Sequence, residues 1–247
     1  TCFLICACRF LLNRLQKARI SCIIIQRMLD VCRLKKIRDN IANYKTAEKV
    51  TLLAATKTIP PEEVEALFDA GIVTAGENRV QEFIAKYDKV SRPIDWQFIG
   101  RLQINKVKYI VDKVSLIQSV DSEKLAAEIN KQACKRNIVM PVLLEVNMGR
   151  ETGKGGVIPE EADNECAIIQ TYKNVRLDGI MCVFPKNAKE NLYAEAESLY
   201  NRLKEKYNLK ILSMGMSDDY VTALKHGANM IRLGRAIFGE RGKFYER

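Results

Sequence analysis

Eight short apolar runs, each separated from the next by a helical pattern, constrain the fold more than any other feature of this sequence. Strand and helix alternating along a whole chain are typical of a parallel sheet covered by helices. Eight strands with seven intervening helices predict the closed form, a single (β/α)8 barrel of the TIM type. The predicted strands are residues 50–57, 72–75, 96–99, 116–120, 142–146, 177–183, 210–214 and 230–233.

An amphipathic helix is predicted before the first strand. Apolar side chains recur there at helical spacing, and they are Leu34, Ile37, Ile41 and Tyr44. No stretch rich in Pro, Gly or Ser divides the chain after this helix. We therefore predict one domain over residues 33–247, in which the helix leads into the barrel.

Composition narrows the class of protein. The chain has 247 residues, of which 47% are hydrophobic and 28% charged, as in an ordinary globular domain. No apolar run reaches the roughly 18 residues that a membrane span requires, so we expect no membrane association. The net charge of +10 falls to +5 without residues 1–27, which hold five basic and no acidic residues. The remaining charges are mixed along helices, which argues against nucleic-acid binding.

The amino-terminal segment differs from the rest of the chain. Five of the eight cysteines fall within residues 1–32, a distribution unlike a secreted disulfide framework, so we expect a reducing, cytoplasmic compartment. Cys2, Cys6 and Cys8 have no partner group at metal-ligand spacing, and no metal site is predicted. We interpret residues 1–32 as an extension foreign to the fold, with Met28 as the natural start.

Lys57 is the first candidate for chemistry. Alternate side chains of a strand share a face, so Leu53, Ala55 and Lys57 are expected to point the same way. Lys57 comes last, at the carboxyl end of the strand, where barrels keep their active sites. Apolar neighbours would lower the pKa of its amine and favour attack on an aldehyde. The alternative at this point is a lysine that merely extends its charge into water.

A second feature stands near the carboxyl end of the chain. Residues 212–217 and 230–239 are two apolar strands that each run into small or hydroxylated residues. In an α/β barrel, the loops after strands seven and eight commonly grip a phosphate group. Lys57 and this predicted phosphate grip would face the same end of the barrel. Other polar residues follow the remaining strands, among them Glu77, Asn78, Arg101, Asp121 and Glu145.

These residues together resemble the pyridoxal phosphate homeostasis protein family, whose barrel is similar to the amino-terminal domain of alanine racemase. The resemblance spans roughly residues 33–242 and excludes residues 1–32. The segments that carry it are residues 54–58 (AATKT), 76–82 (GENRVQE), 98–106 (FIGRLQINK), 179–181 (GIM), 213–217 (SMGMS) and 232–234 (RLG).

The resemblance implies a role for each candidate residue. Lys57 would form a Schiff base with pyridoxal 5′-phosphate. Ser217, with the backbone amides of Gly234 and Arg235, would hold the phosphate, because exposed N–H groups bind anions. Arg232 would face the pyridine nitrogen, and a guanidinium there cannot accept a proton, so the ring would be a weak electron sink. Ser213 and Asn78 would contact the cofactor more peripherally.

The expected function is therefore a cytoplasmic, monomeric carrier that buffers or delivers pyridoxal phosphate, without catalytic residues and with cofactor-free enzymes as transient recipients. The main alternative is a pyridoxal phosphate-dependent amino-acid racemase. Similar racemases take their second base from a separate carboxyl-terminal domain, and this sequence ends eight residues after Gly239, so two-base racemisation is not expected. A Schiff-base aldolase is a further alternative, with Glu77 or Glu145 as its acid–base group.

Overall fold

The computed structural model describes residues 31–239. The predicted extension therefore lies outside the described residues, except for Val31 and Cys32, which begin the first helix. The proposed start at Met28 and the cluster of Cys2, Cys6 and Cys8 also lie outside them.

Strands and helices alternate as the sequence predicts. The strands are β1 (Thr51–Ala55), β2 (Thr74–Glu77), β3 (Asp95–Phe98), β4 (Leu116–Val120), β5 (Met140–Asn147), β6 (Val175–Val183), β7 (Ile211–Ser213) and β8 (Met230–Leu233). The helices are α1 (Val31–Tyr44), α2 (Pro61–Asp69), α3 (Val80–Tyr87), α4 (Glu123–Lys135), α5 (Ala162–Gln170), α6 (Glu190–Tyr207), α7 (Tyr220–Lys225) and α8 (Arg235–Phe238), with a 3₁₀ helix at Ile104–Tyr109.

The eight strands form a closed barrel in sequence order. Every neighbouring pair is parallel, and β8 closes the barrel by pairing with β1, where Leu53 lies opposite Arg232. The predicted (β/α)8 fold is therefore confirmed. Because all strands are parallel, their carboxyl ends meet at one end of the barrel, which we call the mouth.

Strand alternation divides the core into two layers. An inner cluster fills the barrel, and its members are Leu53, Leu116, Leu143, Met181 and Met230. The intervening strand residues point outward and pack beneath the helices, as Ala54, Trp96 and Ile231 do. The inward or outward direction of any strand residue can therefore be read from its spacing to the inner cluster.

Local sequence explains where elements begin, and two predictions need adjustment. Helix α2 starts with Pro61, whose missing N–H would have no helical partner anyway, and with two acids in its first turn. A short 3₁₀ helix replaces the helix expected between β3 and β4. In α1, Leu34 and Ile37 are buried but Tyr44 is 41% exposed, so the apolar face ends before that residue.

Helix α1 packs against α7 and α8, next to the last two strands. The buried side chains of Leu34 and Ile37 each contribute about 1.5–3 kcal/mol of hydrophobic stabilisation. Asn40 Nδ2 also donates to the hydroxyl of Tyr220 at 2.6 Å. No helix between residues 31 and 239 is long and apolar enough to cross a membrane.

Candidate functional site

The seven residues assigned to the cofactor lie on or just after four adjacent strands, six of them at the mouth and Ser213 just below it. Ser213 and Ser217 belong to β7 and the loop after it, and Arg232, Gly234 and Arg235 to β8 and the residues after it. Lys57 and Asn78 follow β1 and β2. In the barrel these strands are neighbours in the order β7, β8, β1, β2. Residues more than 150 positions apart in the sequence are therefore brought to one side of the mouth.

Lys57 stands in a turn two residues after β1 ends, so the predicted strand extended two residues too far at its carboxyl end. The backbone on both sides of it is anchored. Thr56 N–H donates to the Gly76 carbonyl at 3.0 Å, and Lys86 Nζ donates to the Thr56 carbonyl at 2.7 Å. Thr58 has a φ of 64°, and its N–H donates to the Glu82 carboxylate. These contacts fix the turn that carries Lys57.

A buried ion pair, which we call the outer pair, supports this turn from the outside of the barrel. Lys86 Nζ lies 2.5 Å from Glu77 Oε1, and neither side chain is more than 5% exposed. Thr56 Oγ1 donates to the same carboxylate oxygen at 2.6 Å. Burial raises the pKa of Glu77, while Lys86 and Thr56 act in the opposite direction.

The position of Glu77 argues against its role in the aldolase alternative. The neighbouring Gly76 faces the inner cluster, because a Cβ there would lie against the side chains of Leu53 and Ile99. Glu77 therefore points away from the barrel interior, towards α3. Its expected role as the acid–base group of an aldolase is not available from this position, because the pair with Lys86 holds it outside the mouth.

Asn78, the first residue after β2, is partly buried at the mouth. The loop after β3 crosses directly over it, and a Cβ on Gly100 would overlap the Asn78 carbonyl. Only glycine permits so close an approach of two backbone segments. A groove of about 1110 Å³ opens on this side of the mouth and is lined by Asn78, Arg101, Asp121 and the start of the 3₁₀ helix.

The residues of the predicted phosphate grip lie side by side after β7 and β8. Ser217 Oγ accepts a hydrogen bond from the backbone N–H of Ala236 at 3.1 Å, so the hydroxyl lies beside the start of α8. The side chain of Arg235 forms an ion pair with Asp218 on the same loop. A Cβ at Gly234 would stand 3.5 Å from the Ala55 carbonyl. Glycine thus leaves the space between β8 and β1 open, next to the turn of Lys57.

Arg232 projects inward from β8 and is 8% exposed. Its Nη1 donates to Ser213 Oγ at 2.8 Å, and its Nη2 donates to the Cys182 carbonyl at 3.2 Å. Burial lowers the pKa of the guanidinium. Ser213 is fully buried, and its hydroxyl donates to Gln118 Oε1 at 2.7 Å. The hydroxyl of Ser213 is therefore engaged below the mouth by Arg232 and Gln118, and its predicted peripheral contact with the cofactor stays a prediction.

Glu145 is a second carboxyl at the mouth. It lies two residues beyond Leu143 of the inner cluster, so it points inward, and it is 8% exposed. Burial, reinforced by Asp121, raises the pKa of Glu145 to about 7, while Arg232 and Arg101 act in the opposite direction. A proton at this position is therefore exchangeable near neutral pH. Sequence reasoning named Glu145 only as an aldolase group.

Gln97 and Gln118 are inward polar residues that sequence reasoning missed. Both are buried, and Gln118 Nε2 donates to Gln97 Oε1 at 2.7 Å. The spacing of residues along β4 could have indicated the inward direction of Gln118. This residue stands two positions after Leu116 and therefore shares its inward face. Cys182, by contrast, is a buried thiol whose pKa is raised to about 12 by desolvation, and it contributes its carbonyl rather than its sulfur.

Comparisons with known proteins identify the family of this chain. The family model of the alanine racemase N-terminal domain matches residues 32–242. A pyridoxal phosphate homeostasis protein of Aquifex aeolicus is 40% identical over 228 residues, covering 90% of this chain and 98% of the relative. One of Pasteurella multocida is 33% identical and covers 84% and 96% of the two chains.

Solved structures extend the comparison. PipY of Synechococcus elongatus, solved with PLP bound, superposes with a TM-score of 0.74 at 29% identity, covering 84% of this chain and 98% of PipY. An alanine racemase of Clostridium difficile superposes with a TM-score of 0.70 at 17% identity, covering 88% of this chain and 62% of the racemase, and this similarity concerns the fold alone. The chain thus belongs to the alanine racemase N-terminal domain family and, within it, to the pyridoxal phosphate homeostasis proteins.

Proposed function

We propose that this protein binds pyridoxal 5′-phosphate at the mouth of its barrel and buffers or delivers the cofactor inside the cell. The observation that carries the proposal is the convergence of an amine, a phosphate grip and a guanidinium on the four adjacent strands β7, β8, β1 and β2. The cofactor has one group suited to each of them: an aldehyde, a phosphate and a ring nitrogen.

The residues fit that cofactor group by group. Lys57, held by the anchored turn, would bind the aldehyde covalently and reversibly. Ser217 and the backbone amides of Gly234 and Arg235 would bind the phosphate, in a space that a larger residue at Gly234 would narrow. Arg232 would donate to the ring nitrogen. Asn78 and Ser213 would border the site rather than carry the main contacts.

The chemistry of Arg232 favours carriage over catalysis. When bound, the cofactor can withdraw electrons from an amino acid, and it does so best when its ring nitrogen is protonated. A guanidinium keeps its proton and can only donate hydrogen bonds, so Arg232 would favour the neutral, accepting form of that nitrogen. The same residue therefore supports binding while it limits carbanion chemistry.

Amino-acid racemisation is the alternative function. The observation that favours it is the carboxyl group of Glu145 at the mouth. Two-base racemisation needs proton-exchanging groups on both faces of the substrate, and Glu145 exchanges a proton near pH 7 at the mouth. We expect Glu145 to be insufficient for racemisation, because Arg232 would leave the cofactor ring a weak electron sink.

Two incubations distinguish the functions. In the first, the loaded protein is mixed with a cofactor-free pyridoxal phosphate enzyme, and a carrier restores that enzyme's activity. In the second, the loaded protein is incubated with L-alanine, and a carrier leaves its stereochemistry unchanged. Racemisation at about one turnover per second or faster, the ordinary enzymatic range, together with failure to load the recipient, would establish the racemase instead.

The remaining expectations belong to the same proposal. We infer a cytoplasmic location, a monomer and only transient contact with recipient enzymes. Sedimentation of the loaded protein alone and with a cofactor-free recipient tests the last two. A carrier that acts by transient contact sediments at the rate of its monomer in both cases, whereas a stable complex would sediment faster than either protein alone.

A further inference from the structure

A continuous chain of side-chain hydrogen bonds crosses the interior of the barrel from the mouth towards its opposite end. We call it the inner chain, and its members are Arg232, Ser213, Gln118, Gln97 and Asp95. Arg232 donates to Ser213 at 2.8 Å and Ser213 to Gln118 at 2.7 Å. Gln118 donates to Gln97 at 2.7 Å, and Gln97 Nε2 donates to Asp95 Oδ2 at 3.0 Å.

The direction of every donor in the inner chain is fixed by its two ends. The Asp95 carboxylate accepts hydrogen bonds, so the amide nitrogen of Gln97 must face it and the amide oxygen must face Gln118. Gln118 must then donate to Gln97 and accept from Ser213. At the other end, the guanidinium of Arg232 only donates. Both constraints give the same orientation, with all four donors pointing from the mouth to Asp95.

This polarity determines what the residues at the mouth can do. The proton of the Ser213 hydroxyl is committed to Gln118, so Ser213 meets Arg232 as an acceptor. The Cys182 carbonyl accepts from the other terminal nitrogen of Arg232 at 3.2 Å. Two fixed acceptors at two terminal nitrogens orient a planar guanidinium completely. Its remaining N–H groups are then available on its other edges.

We propose that Gln118 and Gln97 are positioning residues, which act through Ser213 to hold Arg232 in the orientation that the ring nitrogen of the cofactor requires. This inference rests on the proposed function for its purpose. Its structural part, the orientation of Arg232 by the inner chain, exists in the cofactor-free protein and can be tested there.

The surroundings of Gln118 argue against a simple packing role. The inner cluster at this depth is apolar, with Leu116, Leu143 and Met230, and a leucine or methionine would continue it. A buried amide costs stability unless its hydrogen bonds are satisfied. Both ends of the Gln118 amide are satisfied, within a chain in which each bond polarises the next. A fixed guanidinium at the mouth is the consequence of this arrangement.

The test replaces Gln118 by methionine, which is close to glutamine in size and shape but forms no such chain. Leu116→Met is the matched control, because it changes volume little on the same face of the same strand. In the cofactor-free protein, we expect Gln118→Met to shift the Arg232 Nε–H resonance and accelerate its hydrogen exchange. In the loaded protein, we expect a changed visible absorption maximum and about threefold to tenfold weaker retention, as for loss of one hydrogen bond.

A double-mutant cycle identifies the route of the effect. If Gln118 acts through Ser213, Gln118→Met has no further effect on the Arg232 resonance or on retention in a Ser213→Ala background. Additive effects would overturn the proposal, because Gln118 would then act by another route. A Gln118→Met protein that matches Leu116→Met in all readouts would also overturn it. If the wild-type protein fails to bind pyridoxal phosphate, the proposed function fails, while the resonance of Arg232 still tests the inner chain.

Discussion

Two groups of polar residues lie on opposite faces of the barrel strands and have different roles. The outer pair, Glu77 and Lys86, is enclosed between β2 and α3 and holds the backbone at Thr56. The inner chain crosses the barrel and ends at Arg232, which faces the mouth. Burial alone does not distinguish them, because the outer pair and every member of the inner chain except Asp95 are buried. The face of the strand does, since the inward side chains lead to the mouth and the outward ones to the helices.

Two lysines near β1, Lys57 and Lys86, should respond most differently to substitution. Lys57→Ala should abolish covalent attachment of pyridoxal phosphate, detected by borohydride trapping and peptide mapping, because the amine is the bonding group. The free energy of unfolding should change little, since one polar residue at the mouth adds little to the core. Lys135→Ala, on the exposed surface of α4, is the control and should trap the cofactor like wild type. Trapping on Lys57→Ala to the wild-type extent would refute the assignment.

Lys86→Met should have the opposite effects to Lys57→Ala, with a lower free energy of unfolding and with covalent attachment of the cofactor retained. It leaves Glu77 buried without its cation, and breaking a buried pair from one side costs about 3–5 kcal/mol of unfolding free energy. Adding Glu77→Gln should recover part of this loss, because the uncompensated charge is removed. Urea denaturation measures both variants against Lys89→Met, an exposed control. A loss no larger than that of the control would show that the outer pair does not stabilise the turn.

Glu145, an inward carboxyl at the mouth, should make the stability of the protein depend on pH. Its pKa is raised from 4.5 to about 7 in the folded protein, so the folded state binds this proton more tightly than the unfolded state. The resulting stabilisation, about 3 kcal/mol at 1.4 kcal/mol per pKa unit, is fully present below pH 4.5 and is lost as the pH rises through about 7. Glu145→Gln should flatten this part of the profile, unlike Glu205→Gln on the exposed face of α6. An unchanged slope between pH 5 and 8 in Glu145→Gln would contradict the assignment.

The sequence predicted the strands because their apolar runs are bounded by polar and turn residues, and β4 and β8 were placed to the residue. It predicted that the candidate residues gather at one end of the barrel, because parallel strands bring their carboxyl ends together. It did not show whether the side chains of Glu77 and Asn78 point into the barrel or towards the surrounding helices. That distinction needs the register of β1 with β2, in which Ala55 lies opposite Gly76. The inner chain was missed for a related reason, because a lone glutamine in an apolar run resembles a solvated position.

Ser217→Ala gives the smallest effect and separates the phosphate grip from the covalent bond. Ser217 Oγ lies beside the start of α8, where a hydroxyl can donate to a phosphate oxygen. Loss of one hydrogen bond to a charged group should weaken cofactor retention by about 1–3 kcal/mol, while trapping at Lys57 persists at high cofactor concentration. Ser198→Ala, on the exposed face of α6, is the control for equilibrium dialysis of the loaded protein. Equal retention in both variants would mean that the backbone amides alone hold the phosphate and that Ser217 only fixes the loop against Ala236.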